Sequence, residues 1–404
     1  MDDPKKGLKF MHSWVSSPKN VSAKLFLITI LPVLCTAIVP AKSQCLEDQE
    51  LLLLHFKSSL KLDSSLSTKL VSWNQTTDCY LWDGVTCNNA GYVIGLDLNR
   101  EFISGGMDSS SSLFNLQFLQ SLNLGFNNFN LVKIPAGFST YLNLSNSGFA
   151  GQIPIELSRL TRLVTLDLSA LNFSPSPGVR PRSLVLQNPD LAMLVQKMTD
   201  LTQLYLDGVN ISAQGNDWCQ AISSSLPNLG VLSMSSCYLS GPIDSSLAKL
   251  RSLSVIRLGQ NDLSAPVPQF LADIKNLTAL HLTFCNLNGV FPAKIFELPA
   301  LQTLDVSYNG LLHGSLADFN HDRPLKTLVL SYTNFTGALP YSFGNLGILS
   351  RLDLSHCNFS GPVKELDHMN YAYHIPLIVD HMNYAYHIPL IVDHGFYGLE
   401  LGIN

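Results

Sequence analysis

The chain has 404 residues, a formal net charge of -5 and only 14% charged residues, against about a quarter in ordinary globular proteins. It therefore offers no basic field, and no nucleic-acid partner is expected. The apolar share of 46% is ordinary, and length alone would suggest two or three domains if the chain did not repeat.

In chain order, Lys19 and Lys24 precede an apolar run over residues 25–39, and Ala41-Lys42-Ser43 places small residues two apart before Gln44. This layout predicts a secretory signal over residues 1–43, with Met11 as a second candidate start. The run is short for a membrane span, and no later stretch approaches the roughly 20 apolar residues a spanning helix needs. Asn-x-Ser/Thr acceptors then occur at Asn74, Asn143, Asn172, Asn210, Asn276, Asn334 and Asn358, as befits an exported chain. Asn143 lies between Leu142 and Leu144, where a sugar would crowd the strand face. The other six are the glycosylation candidates.

Residues 44–90 are expected to form a cap. Asp48 precedes Leu51, Leu52, Leu54 and Phe56, an apolar stripe of helical spacing ending near Leu60. Trp73, Cys79, Trp82 and Cys87 follow. A stack of repeats exposes an apolar first end, so a cap is physically required, and disulfides hold small exported modules together. Cys45, Cys79 and Cys87 make an odd set, so one thiol is left over or bonded elsewhere.

Residues 91–363 are expected to hold about ten repeats. Six run at intervals of 24: Leu232/Met234, Ile256/Leu258, Leu280/Leu282, Leu304/Val306, Leu328/Leu330 and Leu352/Leu354, closed by Cys237, Asn261, Cys285, Asn309, Thr333 and Cys357. Earlier pairs are Leu122/Leu124, Leu142/Leu144, Leu166/Leu168 and Leu204/Leu206, spaced 20, 24 and 38 residues apart. The long interval contains an insertion near residues 171–200, with Ser174-Pro175-Ser176-Pro177-Gly178 as its loop signal, and a second lengthening surrounds Trp218-Cys219. Alternation across each pair predicts a short strand with leucines inward. The closing Asn is expected to satisfy the backbone of its own turn and of the next coil. Gly-x-Ile-Pro segments such as residues 151–154 then turn the chain along the convex side. The predicted fold is an α/β solenoid with one concave parallel sheet.

The pattern fails from Lys364. Residues 367–379 recur identically as residues 380–392, and residues 364–404 are expected to be an aberrant tail. Its five histidines (His368, His374, His381, His387 and His394) owe their regularity to duplication, and no metal is expected there. The last repeat is expected to have a poorly covered apolar edge, with residues 375–379 and their copy prone to aggregate.

On the concave side, Phe284, Tyr308, Tyr332 and His356 fall in one column, with Phe126 further up. Adjacent columns carry Tyr205, Arg257, His281, Asp305, Arg351 and Asp353. An aromatic stripe flanked by both charge signs suits a peptide or protein ligand, although mutual stacking also explains such a stripe. Cys237, Cys285 and Cys357 read as buried ladder residues, and a Cys219–Cys237 bridge is open in an oxidising compartment. No nucleophile–base constellation or phosphate loop is present, so neither catalysis nor a cofactor is expected; His321-Asp322 reads as an isolated, solvated pair.

The 24-residue period, the Ser-x-Asn-x-Leu/Phe-x-Gly-x-Ile-Pro style and the Trp-Asp-Gly-Val-Thr-Cys run ending at Cys87 resemble plant-type leucine-rich repeats. The chain is similar to plant receptor-like proteins, in particular the Verticillium-wilt-resistance type, in residues 157–169, 204–209 and 331–342. The resemblance implies a right-handed superhelix with an N-terminal helical cap. It also implies a cell-surface ectodomain that senses pathogen-derived or apoplastic proteins or peptides, through a membrane helix and co-receptor kinases. Where the family cap has two adjacent cysteines this chain has Cys79-Tyr80. Family pairing suggests Cys45–Cys79 with Cys87 left over, while Cys79–Cys87 stays open. Alternative readings are a secreted inhibitor similar to polygalacturonase-inhibiting proteins, or a truncated product without function.

Overall fold

The computed structural model describes residues 45–108, 110–129, 134, 141–170, 183–321 and 323–360, with the backbone of Leu377 and Ile378, all within one compact unit, Ser43–Asn404. The signal segment, Asn172, the Pro-rich loop, Asp322 and the five tail histidines lie outside the described residues.

A helix, α1 (Glu47–Ser59), opens the cap. Acidic Glu47, Asp48 and Glu50 occupy its first turn and Lys57 its last, the arrangement the helix dipole favours. Its inner face buries Leu53 and Phe56. Trp73 and Trp82 stack at 5.3 Å beneath it. Each indole N–H is satisfied, Trp73 on the Asp83 carbonyl and Trp82 on the Thr77 carbonyl. Gly84 then turns at φ 81°, and a Cβ there would lie 2.3 Å from the Asp97 carbonyl. The Asp97 N–H donates to the Gly84 carbonyl at 2.7 Å. Only glycine permits that approach, which is why this residue stands between Asp83 and Val85.

The main sheet holds thirteen strands among the described residues. They are β1 (Val85–Cys87), β2 (Val93–Asp97), β3 (Ser121–Asn123), β4 (Tyr141–Asn143), β5 (Thr165–Asp167), β6 (Gln203–Tyr205), β7 (Val231–Ser233), β8 (Val255–Arg257), β9 (Ala279–His281), β10 (Thr303–Asp305), β11 (Thr327–Val329), β12 (Arg351–Asp353) and β13 (Leu377–Ile378). Only β1 runs antiparallel to its neighbour. From β7 onward, Leu232, Ile256, Leu280, Leu304, Leu328 and Leu352 align rung on rung, and all are buried. The irregular spacings do not disturb register: Leu122 pairs Leu142 and Leu166 pairs Leu204. Extra residues are absorbed on the far side, as helices α2 (Leu191–Val195) and α3 (Gly215–Ser225). Regular repeats carry short 3-10 turns there instead, such as Gln269–Asp273.

Two sequence expectations need amending. The closing Asn serves its own turn and the preceding coil, not the next one. Asn261 donates to the Leu258 and Met234 carbonyls (2.7 and 2.8 Å) and accepts from the Cys237 and Leu239 N–H groups (both 3.0 Å). Asn309 repeats that set one period of two repeats later, on Val306, Leu282, Cys285 and Leu287. The second amendment concerns the last edge. The tail supplies β13, whose Leu377 pairs with Leu352 of β12, so the strand row runs one rung past the last recognisable repeat.

A smaller parallel sheet of Asn288–Val290, Asn309–Gly314, Thr333–Gly337 and Asn358–Phe359 flanks the turns. Periodicity did not reveal it. Its register shifts between Asn309 and His313, which pair with adjacent Thr333 and Asn334 and so leave three extra residues on this strand; within them Leu311 is exposed and Leu312 is buried in the core. A single apolar cluster runs from Leu53 to Phe359, so no repeat buries its apolar face alone.

Candidate ligand-binding face

Each rung presents three residues away from the core before the closing position, and the backbone then bends into the left-handed region. Phe284, Tyr308, Tyr332 and His356 occupy that bend with φ of 55, 57, 56 and 53°. The bend lets the ladder continue one residue beyond the strand: the Phe284, Tyr308 and Tyr332 N–H groups donate to the Ser307, Ser331 and Ser355 carbonyls. Strands spaced about 4.8 Å apart therefore bring the rings face to face. The centroid separations are 4.1, 4.5 and 4.1 Å, with interplanar angles of 10, 11 and 23°. Half of each ring stays open, 50% for Phe284 and 42% for each tyrosine. The result is a strip of ring edges and phenol hydroxyls along four rungs, an amphipathic surface with little side-chain freedom left to lose on binding.

The strand column beside it carries Tyr205, Ser233, Arg257, His281, Asp305, Val329 and Asp353 on successive rungs. Arg351 lies on the other side of Leu352 in β12. The structure thus brings all ten candidate residues to one face. Their roles differ. Asp305 and Asp353 each spend one carboxylate oxygen on their own turn, accepting from the N–H and hydroxyl of Ser307 and of Ser355. Asn143 and Asp167 do the same at their rungs, so this acidic pattern is partly architectural. Arg257 and His281 have no such turn bond among the described hydrogen bonds. Burial lowers the His281 pKa, with Arg257 and Arg351 acting the same way and Asp305 opposing; the imidazole is neutral at pH 7. Burial also raises the Tyr205 hydroxyl, with Arg257 opposing.

Higher on the face the aromatic strip gives way to small and polar residues at the same bend, Asn146, Gly208, Ser236 and Gln260. The Ser236 hydroxyl bonds the Gln260 side chain. At the top Arg100 lies 4.6 Å over the Phe126 ring, a cation–π pair.

The bridge between Cys219 and Cys237 is not formed; both are buried free thiols. Cys219 sits on α3, its sulfur accepting from the Asp244 N–H at 3.2 Å, while Cys237 donates to the Leu206 carbonyl inside the ladder at 3.0 Å. They serve different layers of the fold. Burial pushes the Cys219 and Cys285 thiols up to about 12 and raises Cys237 further, leaving them protonated and inert. Among the glycosylation candidates, Asn74, Asn276, Asn334 and Asn358 are exposed and Asn210 is half-buried.

Residues 46–88 match the family model described as Leucine rich repeat N-terminal domain, and residues 324–346 match Leucine Rich Repeat. Receptor-like protein 6 of Arabidopsis thaliana is 39% identical over 193 residues, 43% of this chain and 19% of that protein. Receptor-like protein Cf-9 of Solanum pimpinellifolium is 32% identical over 213 residues, 47% of this chain and 24% of that protein. Over the matched residues the chain is similar to plant leucine-rich-repeat receptor-like proteins. It spans about a fifth to a quarter of the length of these relatives. In fold it is similar to the ectodomain of the Arabidopsis receptor kinase HAESA, solved with an N-terminally extended IDA peptide hormone. The TM-score is 0.64 at 21% identity, covering 82% of this chain and 56% of that one. No helix among the described residues is long and apolar enough to cross a membrane.

Sequence reasoning missed Glu101. It lies three residues after Leu98, the same place Asn127 holds after Leu124, and it is fully buried. Its carboxylate accepts from the Ser67 and Thr68 hydroxyls at 2.6 and 2.9 Å and from the Thr68, Lys69 and Leu70 N–H groups at 3.0–3.2 Å. Those hydrogen bonds hold its pKa below the usual carboxylate value although burial opposes them. A Glu standing where the template has Asn was the available signal.

Proposed function

We propose that this chain is the ligand-recognising part of a plant cell-surface receptor-like protein. Its open face takes a pathogen-derived or apoplastic protein or peptide, and the signal passes to partner receptor kinases. The narrower resemblance to the Verticillium-wilt-resistance type belongs to this proposal, as do export, the extracellular setting and the absence of catalysis. One observation carries it: a rigid, half-open strip of Phe284, Tyr308, Tyr332 and His356 runs along a face that also offers Arg257, Arg351 and carboxylates. Pre-ordered aromatic edges beside both charge signs suit an extended polypeptide, whose backbone and mixed side chains need both. The relatives named receptor-like proteins and the peptide-bound ectodomain of similar fold support the same reading.

The test is a binding screen of the secreted chain against apoplastic pathogen proteins and their peptides, with a Tyr308→Ala/Tyr332→Ala double variant as control. A ligand whose affinity drops at least tenfold in the variant, at unchanged melting temperature, is the expected result. A ligand bound equally by both proteins would move the site elsewhere on the molecule. Inhibition of a fungal polygalacturonase would replace the receptor reading with an inhibitor.

A further inference from the structure

The cap holds three cysteines around one point. Cys45 precedes α1, Cys79 lies in the 3-10 turn Cys79–Leu81, and Cys87 ends β1. Their sulfurs all lie within 4.8 Å of one another. The Cα of Cys45 is 5.7 Å from that of Cys79 and 6.3 Å from that of Cys87, and both separations fall within the 4.4–6.8 Å that a disulfide spans. A sulfur forms one disulfide at a time, so Cys45 can bridge either partner and the third cysteine stays a thiol. Neighbouring Tyr80 is exposed and supplies no fourth sulfur.

We propose that the cap is a thiol–disulfide exchange site with two bridged states sharing Cys45. In the forward step the Cys87 thiol loses its proton to water and the thiolate attacks Cys45 Sγ of the Cys45–Cys79 bridge. The Cys45–Cys87 bond forms, the Cys45–Cys79 bond breaks, and Cys79 leaves as a thiolate that takes a proton. One disulfide and one thiol stand on each side, so no oxidant or reductant is consumed. The two states differ in what they show to solvent. Cys79 is fully buried, whereas Cys87 is half-buried. One state therefore presents a reachable thiol and the other hides it. They also differ mechanically. Cys45–Cys79 ties the start of α1 to the turn under the tryptophan pair, and Cys45–Cys87 ties it to the first strand of the main sheet. The half-buried Cys87 thiol is accordingly the place where a disulfide-bearing reagent or partner would form a mixed disulfide.

The full secreted chain tests this. One aliquot is acidified at once, which arrests thiolate attack, and is digested with pepsin and mapped for linked peptides. Others are first held at neutral pH with N-ethylmaleimide for increasing times. Both linkages are expected at the outset. With time, labelling at Cys87 drains the exchanging pool, so the Cys45–Cys87 peptide disappears and the Cys45–Cys79 peptide rises to account for the whole cap. Only one linkage at the outset, or a Cys45–Cys87 fraction that stays constant while Cys87 elsewhere in the population is labelled, overturns the proposal. Cys87→Ser and Cys79→Ser each remove one state, and each must yield a single linkage with no cap thiol available to the reagent.

Discussion

The ladder position of the first repeat and that of the interior repeats occupy the same place in the template and hold opposite chemistry. At the interior rungs that carry Asn the position faces a previous turn with both carbonyls and N–H groups to satisfy, and the amides of Asn127, Asn261 and Asn309 serve both. At the first rung no repeat precedes, and the cap presents donors only. Glu101, an acceptor with no proton to give when ionised, fits what an amide would not. The ladder residue is thus chosen by what lies before it, not by the repeat that carries it.

The sharpest way to break this comparison is Glu101→Ala. It leaves the buried Leu70 N–H and the part-buried Thr68 and Lys69 N–H groups unpaired, at about 1–3 kcal/mol for the buried one and less for the other two, so the cap junction should lose on the order of 3–6 kcal/mol. In urea the fluorescence of buried Trp73 and Trp82 should then change before the circular dichroism of the repeats. Coincident, unshifted transitions would remove Glu101 from its structural role. Next in size is Asn309→Ala, which orphans the Cys285 and Leu287 N–H groups and two carbonyls. A loss of about 2–4 kcal/mol in the global urea transition is expected on the same scale.

Acid should separate the two regions without mutation. The Glu101 pKa is held below its ordinary value of 4.5, so its contribution is complete above the unfolded value and is lost as pH falls through the folded one. Asp167 is the opposite case. Burial first, then the like charge of Asp207, raise its pKa above 3.8, so its ionised form weakens the fold and protonation relieves that. On lowering the pH below about 4.5, hydrogen exchange should therefore rise in the cap while the β5 rung is held or strengthened, an effect of about 1–3 kcal/mol at the cap for one charge-assisted network. Uniform loosening of both would contradict the assignment. Cys285→Ala ranks lower, at about 1 kcal/mol, because the thiol is a weak hydrogen-bonding group, with its bond to the Leu258 carbonyl at 3.2 Å, and a small cavity remains.

Much of this was legible in the residues. The spine from Leu232 to Leu352 followed from a period of two within a period of 24, because side-chain alternation and stacking leave no other register. The aromatic column followed from the same alignment. The rest depended on partners remote in sequence. Glu101 meets donors about 30 residues earlier, which no local pattern encodes. The flanking second sheet arises where successive turns pair, among residues such as Asn288 and His313 that carry no alternating signature. The backward direction of the Asn bonds, and the separate layers of Cys219 and Cys237, likewise needed the third dimension.

The smallest stability effect falls one residue from the ladder and sharpens the contrast between core and face. Tyr308 immediately precedes Asn309, yet its ring is half-open and its backbone is left-handed at φ 57°. Removing the ring costs two stacking contacts, about 0.5–1.5 kcal/mol each beyond buried area. The left-handed bend itself costs a residue with a Cβ about 1–2 kcal/mol, and glycine escapes that term. Tyr308→Gly should then unfold within about 1 kcal/mol of the parent and should be more stable than Tyr308→Ala by roughly the same amount, the reverse of the usual order inside a regular element. Urea melts of the two variants read this directly. If alanine proves the more stable, the bend is relaxed in solution and the strip of rings is less rigid than its geometry implies. If glycine does, the fold holds the backbone bent whatever side chain it carries, and Tyr308 is left free to serve the ligand.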